Sequence, residues 1–393
     1  MRFRDLPENI RTKLQFWQKT IEATKNFTGS SPPSVFVGDF GYPKVNMGIL
    51  APPQQQEDVQ AAVLDSPESW YGSRATLEQI FAHRSQLIYS RFKSDIHSQS
   101  GRFVDVAKEV AAAKKPTDVE IHLKKQPRFL FAHDIVSTPI GNPAQIISAR
   151  LTENAAVEKK VDYLISDVDI KANTAVLELY KHKLPTTRIQ KVFSAGLLGM
   201  QVERRFVPTR WSITAVDDII SKRLREKIKE NQELGEIKLF FNEYIGNRYY
   251  VLLLPGAYQF ELIEFWQGKW GMPEISDDYE NFWGRKDYAN RTHGAFYSGR
   301  LAVCEYLDKI KRQAAALIVR EITSEYSLPV GIWQLRESVR DAFNKPQESF
   351  ATLQQAIARI ESRMKLRSGW QERSELLKSY KYQKKLTMFA RKI

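Results

Sequence analysis

Cysteine is nearly absent from this 393-residue sequence, because Cys304 is the only one. A single cysteine forms neither an internal disulfide nor a cysteine-cluster zinc site, so we expect no structural zinc and a reducing, cytoplasmic location. Long apolar runs are also missing, since no stretch approaches about 18 uninterrupted apolar residues, and the first residues lead into an amphipathic rather than a signal-like segment. We therefore expect a soluble intracellular protein with no membrane partner.

The glycine patterns that commonly bind nucleotide phosphates are missing as well. The small-residue segment over 195–199 permits close packing, but it has neither the Gly-x-Gly-x-x-Gly nor the Walker pattern. Nucleotide binding by either of these two motifs is therefore not supported.

Basic residues, in contrast, are in excess. Lysine and arginine number 59 against 46 aspartate and glutamate, which gives a net charge of +13. Residues 363–393 alone contain ten basic and two acidic residues. Such a charge suits a polyanionic partner, and the partner we expect is DNA, although a basic face is often only solvated surface.

The apolar patterns predict an α+β protein with several helices around a small antiparallel sheet, a helical C-terminal portion and a mobile C-terminal tail. Three β-rich runs over 237–244, 249–254 and 258–265 are separated by short turns and predict an antiparallel meander. Helical spacing predicts helices over 77–96 and 295–326, the second being the longest. The hydrophobic content of 42% is enough for a substantial core.

The proline-fenced segment over 31–53 contains two short strand-like runs with three glycines between and within them. A β-hairpin is the simplest interpretation. Glycines also let the backbone approach another group closely, so a ligand-facing loop is the alternative.

Arginines alternate with aromatic residues over 204–211. Arg204, Arg205 and Arg210 lie around Trp211, and guanidinium groups bind phosphate while an indole stacks on a base. An internal ion-pair network with Asp217 and Asp218 is an equally good interpretation, because unpaired arginines are costly to bury.

A second block of this kind lies over 285–300. It contains Arg285, His293, Tyr297 and Arg300, which are residue types that a pocket for a nucleotide or a flipped base requires. A buried aromatic core with arginines at its rim would have the same composition. The catalytic candidates across both blocks are His293, Arg210 and Asp217.

Acidic residues cluster at Asp162, Asp167 and Asp169. Carboxylates in such a cluster can hold Mg²⁺, whereas acids beside a helix start are commonly caps. His133 next to Asp134 is an acid–base pair only if the two side chains face each other. We assign no metal site, expect no cofactor, and retain Mg²⁺ as the ion that the acids would hold.

The last residues combine a basic segment with Gln383, Leu386 and Phe389, spaced three apart. In a 3₁₀ turn these side chains eclipse one another and form one ridge. The pattern resembles the peptide that binds the PCNA sliding clamp, although Ala390 occupies its second aromatic position. The alternative is that Leu386 and Phe389 pack on the protein's own body.

The sequence contains six distinctive blocks, PPSVFVG over 32–38, GYPKVN over 41–46, GIL over 48–50, LPTTR over 184–188, FVPTRWSITAVDD over 206–218 and HGAFYSGR over 293–300. Through these blocks the chain resembles the archaeal Nre family of DNA repair proteins. That resemblance implies a repair role and, for some members, a clamp-binding C-terminal peptide, which corresponds here to Gln383, Leu386 and Phe389. Many relatives carry a four-cysteine zinc motif that residues 1–30 lack.

Together these patterns predict a DNA repair factor that binds DNA and is recruited by PCNA. The alternative is an enzyme acting on DNA or a nucleotide, either a metal-dependent nuclease or a nucleotidyl or ADP-ribosyl transferase, that uses the Arg210 and His293 blocks. We expect a core over 1–380, with a sub-boundary near 232–236 or 285–295, and a clamp-binding tail over 381–393. The nucleic-acid or nucleotide-binding candidates are Lys44, Arg204, Arg205, Arg210, Trp211, Arg285, Tyr297 and Arg300.

Overall fold

The computed structural model describes residue 6 and residues 8–132, 134–267 and 273–382. His133 and the motif residues Gln383, Leu386 and Phe389 lie outside the described residues. The predicted acid–base pair and the clamp-binding ridge therefore stay predictions.

Helices and strands alternate along the described chain, which confirms the α+β class. The helices are α1 (Glu8–Ala23), α2 (Asp58–Val63), α3 (Pro67–Gly72), α4 (Leu77–Ser85), α5 (Arg102–Ala112), α6 (Lys159–Ser166), α7 (Ala172–Lys181), α8 (Thr186–Ser194), α9 (Thr209–Ile228), α10 (Gly294–Ile310), α11 (Trp333–Ala342), α12 (Leu353–Arg363), α13 (Trp370–Arg373) and α14 (Glu375–Tyr382). The strands are β1 (Asn26–Ser31), β2 (Val35–Val37), β3 (Lys44–Ala51), β4 (Ile88–Asp95), β5 (Thr117–Leu123), β6 (Phe131–Ala132), β7 (Ile140–Gly141), β8 (Pro143–Leu151), β9 (Ile237–Tyr244), β10 (Asn247–Leu254), β11 (Gln259–Gln267), β12 (Pro273–Glu280), β13 (Ala315–Ile322) and β14 (Glu348–Phe350).

The chain divides into two compact units. The first unit contains residues up to Ile220 together with Ser327–Gln334, and the second contains Ser221–Tyr326 with the residues from Leu335 onward. The predicted division into a core over 1–380 and a tail over 381–393 stays a prediction.

The first unit is built on a six-stranded mixed sheet with the order β1-β5-β8-β4-β3-β2. Neighbouring strands are antiparallel except β4 and β8, which are parallel. The predicted hairpin is present, because Val35–Val37 pairs antiparallel with β3. The loop that joins these two strands runs over 38–43 and carries Phe40 and Tyr42 on the surface.

The second unit is built on another six-stranded sheet with the order β12-β11-β13-β10-β9-β14. The first two strands of the predicted meander, β9 and β10, pair antiparallel. The third, β11, does not pair with β10, because β13 lies between them and runs parallel to β11. The two mixed sheets are thus larger than the small antiparallel sheet that we expected.

Helices cover both faces of the second sheet. The face that carries Tyr250, Leu252 and Leu254 packs against residues of α12 and α14 in one buried cluster. On the other face α10 approaches closely at Gly299, where a Cβ atom would lie 2.9 Å from Ile318 Cδ1. This double cover allows strands to be apolar at every position.

Two segments predicted as helices each contain a helix followed by a strand, and the double cover explains the strand of the first one. The segment predicted as one helix over 295–326 contains α10 followed by β13, whose residues Ala315–Glu321 are all buried. The segment over 77–96 likewise contains α4 and then β4. A continuous apolar run fits a strand covered on both faces as well as it fits a buried helix, so periodicity does not separate the two.

Candidate nucleic-acid interface

The first turn of α9 and the loop over 38–43 meet in the first unit. The Val37 backbone amide donates to Thr209 Oγ1 at 3.0 Å, which joins the end of β2 to the start of the helix. The Pro208 carbonyl accepts from the amides of Trp211 and Ser212 at 2.9 Å each, and so closes the first helical turn. The side chains of consecutive helix residues then point to different sides of this junction.

On one side, Trp211 packs against Tyr42 of the loop. The ring centroids are 5.1 Å apart with an interplanar angle of 49°, and the two residues remain 44% and 45% exposed. Phe40, in the same loop, is 90% exposed. Aromatic rings left in water at a loop and a helix start offer flat surfaces on which bases can stack.

The Tyr42–Trp211 pair borders a groove of about 630 Å³, here called the aromatic groove, which is also lined by His97, Phe193 and Arg205. Arg205 is exposed, and its side chain makes no hydrogen bond or ion pair with any residue that the structure describes. A cation without a protein partner beside stacked rings can bind a phosphate group while the rings hold a base.

On the other side, Arg210 faces a cleft of about 540 Å³, here called the Arg210 cleft. Its guanidinium lies 3.4 Å from Asp39 and 3.6 Å from Asp134, and all three side chains are 31–40% exposed. Asp134 Oδ1 accepts from the amides of Val136 at 2.6 Å and Ser137 at 3.1 Å, which fixes that carboxylate. Arg210 is therefore held loosely at the mouth of the cleft.

Lys44 is exposed at the first position of β3, directly after the loop. Its ammonium group forms no hydrogen bond or ion pair with the described residues. The structure thus brings Lys44, Arg205, Arg210 and Trp211 to the two sides of one loop.

Arg204, in contrast, uses its guanidinium group for hydrogen bonds to the protein backbone. Its guanidinium donates at 2.8 Å to each of the carbonyl oxygens of Gly199, Ile165 and Asp167. Burial lowers the pKa of this guanidinium, and Asp167 partly offsets that effect. Arg204 therefore fixes the segment that carries Arg205.

The acidic candidates in the first unit have structural partners. Asp217 is fully buried and accepts from Gln190 Nε2 at 3.0 Å. Asp167 accepts from the amides of Asp169 at 3.1 Å and Ile170 at 3.0 Å, which fixes the turn between α6 and α7. Among the described residues, no group of three or more histidine, cysteine, aspartate or glutamate side chains is arranged to hold a metal ion.

The block over 285–300 lies in the second unit and forms internal contacts. Arg300 is 1% exposed, pairs with Glu280 at 2.8 Å and donates to Ser221 Oγ at 3.1 Å. Arg285 pairs with Asp278 at 3.0 Å and donates to the Tyr279 carbonyl at 2.9 Å. These contacts correspond to the second interpretation, in which an aromatic core carries paired arginines.

Tyr297 and His293 lie at the start of α10 in this second unit. Tyr297 is 7% exposed, and its hydroxyl accepts from the Ala289 amide at 3.0 Å. His293 occupies the position before the first residue of α10 with a positive φ of 50°, and its ring centroid is 6.3 Å from that of Tyr288. Cys304, also on α10, is fully buried, and burial raises the pKa of its thiol to about 12.

The sequence did not predict several residues of the aromatic groove and the Arg210 cleft. Phe40 and Tyr42 lie in the segment over 31–53, for which a ligand-facing loop was the alternative to a hairpin. The spacing of glycine and proline was the sequence feature that indicated this loop. Asn46 and Arg91 had no signal, because they lie on neighbouring strands that only the sheet brings together.

These observations define an α+β protein whose first unit presents, around the loop over 38–43, exposed aromatic rings and cations that have no partner among the described residues. Comparison with known proteins then gives its family. The family model described as Archaeal Nre, N-terminal matches residues 6–271, and Archaeal Nre, C-terminal matches residues 280–389. The chain belongs to the archaeal Nre family, which confirms the resemblance.

Curated relatives match most of the chain. DNA repair protein NreA of Haloferax volcanii is 36% identical over 365 residues, which cover 89% of this chain and 86% of that protein. DNA repair protein NreB of Archaeoglobus fulgidus is 34% identical over 91% of this chain and 90% of its own length. DNA repair protein NreA of the same organism is 35% identical over 88% and 87%. These relatives support a role in DNA repair.

No solved structure matches the chain. Within the described residues, no helix is long and apolar enough to cross a membrane.

Proposed function

We propose that this protein is a DNA repair factor that binds DNA through the aromatic groove and is recruited to the PCNA sliding clamp by its C-terminal segment. The observation that carries DNA binding is the exposed Tyr42–Trp211 pair beside Arg205, which has no partner in the described part of the chain. The net charge of +13 and the repair proteins among the relatives support the same function.

In the proposed complex, the aromatic rings would contact bases and the cations would contact phosphates. A base stacked on an exposed ring contributes about 1–3 kcal/mol and tolerates any sequence, because every base has a flat face. Arg205 and Lys44 would contact phosphates, which position the strand without reading it. The proposed interaction is therefore tolerant of sequence.

The first experiment measures the affinity of the full chain for a labelled single-stranded oligonucleotide by fluorescence anisotropy. Trp211→Ala is expected to weaken binding about tenfold through lost stacking, and Arg205→Ala by a smaller factor that shrinks at high salt. Melting temperatures should stay close to that of the wild type, because both side chains are exposed.

Two matched controls test whether position matters. Tyr163→Ala removes another exposed ring, on α6, and Lys125→Ala removes another exposed cation of the first unit. Neither lines the aromatic groove. Equal losses in the controls and in the groove variants would contradict the proposed interface.

The clamp-binding segment is tested by removing residues 383–393 and by the double variant Leu386→Ala/Phe389→Ala. Both are expected to abolish binding to PCNA in calorimetric titration, because the two side chains are the apolar anchors of the ridge. The control is Thr387→Ala/Met388→Ala, which changes residues off the ridge. Clamp binding that survives the anchor variant would refute this part of the proposal.

A further inference from the structure

Three neighbouring strands contribute residues along the floor of the Arg210 cleft. Phe36 of β2 lies opposite Gly48 of β3, and Gly48 lies opposite Arg91 of β4, so these residues form one row across three strands. Gly48 contributes no side chain between Phe36 and Arg91. Tyr89, two residues before Arg91 on the same face, also lines the cleft.

The walls of the cleft are largely apolar. Phe36 meets Tyr89 edge to face, with centroids 5.4 Å apart, and Leu130, Phe131 and Ile140 complete the walls. The cleft volume of about 540 Å³ lies within the roughly 300–1,000 Å³ of small-ligand pockets. A flat ring system suits such walls.

A buried hydroxyl in the wall has no hydrogen-bond partner among the described residues. Tyr89 is 5% exposed, and its hydroxyl makes no hydrogen bond with any described residue. Burial raises the pKa of this phenol, so the hydroxyl stays protonated and can both donate and accept. An unsatisfied buried hydroxyl is costly, and a ligand that supplies the missing hydrogen bond removes that cost.

The charges around the cleft balance. Asp39 and Asp134 offset Arg91 and Arg210, so the lining offers donors and acceptors without a net charge. A neutral heterocycle with amine, amide and carbonyl edges fits this set better than a polyphosphate, which needs an excess of cations. The Asn46 side chain adds an amide that makes no hydrogen bond with the described residues.

We propose that the Arg210 cleft accepts a single unstacked nucleobase of a DNA strand, with the ring between the apolar walls and its polar edge toward Asn46 and Tyr89. This inference rests on the proposed function, because the strand bound at the aromatic groove supplies the base. Arg210 and Trp211 are consecutive residues on the two sides of the loop over 38–43, so a strand that stacks on Trp211 would bend around this loop to place one base in the cleft.

The test uses the full chain and single-stranded oligonucleotides that carry one 5-iodouracil at successive positions. Irradiation links this base to aromatic side chains in contact, and mass spectrometry of the digest locates the link. We expect one position to label Phe36 or Phe131, identified at the level of the residue by fragmentation of the peptide, while neighbouring positions label Tyr42 or Trp211.

Two variants probe the polar edge. Tyr89→Phe is expected to raise the melting temperature slightly, because an unsatisfied hydroxyl is removed, and yet to lower cleft labelling about three- to tenfold. Asn46→Ala should lower cleft labelling by a similar factor. Lys93→Ala, which removes an exposed cation from the same strand outside the cleft, is the control and should leave the ratio of cleft to groove labelling unchanged.

The outcomes separate this inference from the proposed function. DNA binding with labels only at Tyr42 or Trp211 overturns the nucleobase cleft and leaves the DNA interface standing. Absence of DNA binding overturns both. Cleft labelling by free 5-iodo-2′-deoxyuridine monophosphate but not by any oligonucleotide overturns the strand as the source of the base and identifies a free nucleotide instead.

Discussion

At the scale of single residues, the arginines of this protein divide into two kinds. Arg300 and Arg204 are surrounded by acceptors inside the protein, whereas Arg205 and Arg210 lie at surfaces. The same side chain thus serves packing in one place and is available to a ligand in another. Substitutions should separate the two kinds by their effect on stability.

Arg300→Ala is expected to destabilise the second unit by about 3–5 kcal/mol, because it leaves Glu280 buried with a poorer set of partners. Glu280 keeps Tyr258, whose hydroxyl donates at 3.0 Å, and Arg225 at 3.5 Å. Urea denaturation followed by circular dichroism measures the effect. Arg205→Ala is the control, with an expected change below about 0.5 kcal/mol, and a comparable loss in both variants would contradict the division.

Glu261 predicts a pH dependence of stability. This carboxyl is fully buried, and burial raises its pKa to about 7, although Ser374 Oγ and the amides of Glu375 at 2.8 Å and Leu376 at 3.2 Å donate to it and favour the charged form. The negative charge of Asp277 adds to the rise. Between the ordinary pKa of 4.5 and about 7, the folded chain therefore binds a proton that the unfolded chain has released.

The free energy of unfolding should accordingly fall as pH rises from about 5 to about 8, by on the order of 2–3 kcal/mol from this group. Glu261→Gln removes the titrating group and should flatten that part of the profile. Denaturant titrations at pH 5, 6, 7 and 8 provide the comparison. Identical slopes in the wild type and the variant would show that Glu261 does not titrate in this range.

At the scale of elements, helix ends in the second unit are set by a few side chains. Thr352 begins α12 with a capping box, in which its hydroxyl accepts from the Gln355 amide at 3.3 Å and the Gln355 side chain accepts from the Thr352 amide at 3.2 Å. The helix carries Leu353, Ile357 and Ile360 into the buried cluster on the second sheet. The cap therefore supports packing as well as the helix itself.

Thr352→Ala is expected to cost about 1 kcal/mol, and Thr352→Ser much less, because serine retains the accepting oxygen. The midpoint of chemical denaturation reports the difference. If the alanine and serine variants are equally stable, the hydroxyl does not contribute to the cap.

At the scale of the whole molecule, the excess of positive charge should appear in the salt dependence of the proposed DNA binding. Affinity is expected to fall steeply between 50 and 200 mM salt, because each phosphate contact releases counterions. Arg205→Ala should reduce the slope of log K against log salt by about one unit, whereas Trp211→Ala should lower affinity and keep the slope. A slope that is flat in the wild type would contradict phosphate contact.

The sequence by itself determined the features that depend on residue type and local spacing. It predicted the α+β class, the hairpin of β2 and β3 and membership of the Nre family. The clamp-binding ridge at Gln383, Leu386 and Phe389, which needs only three residues at fixed intervals, stays a prediction. These features are encoded within a few residues of one another.

Only the tertiary structure decided which apolar runs are strands and which arginines are available. The run over 315–321 is a strand because β10 and β11 flank it and helices cover both faces of its sheet. Arg300 is buried because Glu280, twenty residues away, lies beside it, whereas Arg205 has an identical side chain and no such partner in the described chain. Burial depends on elements distant in sequence, and local periodicity carries no information about them.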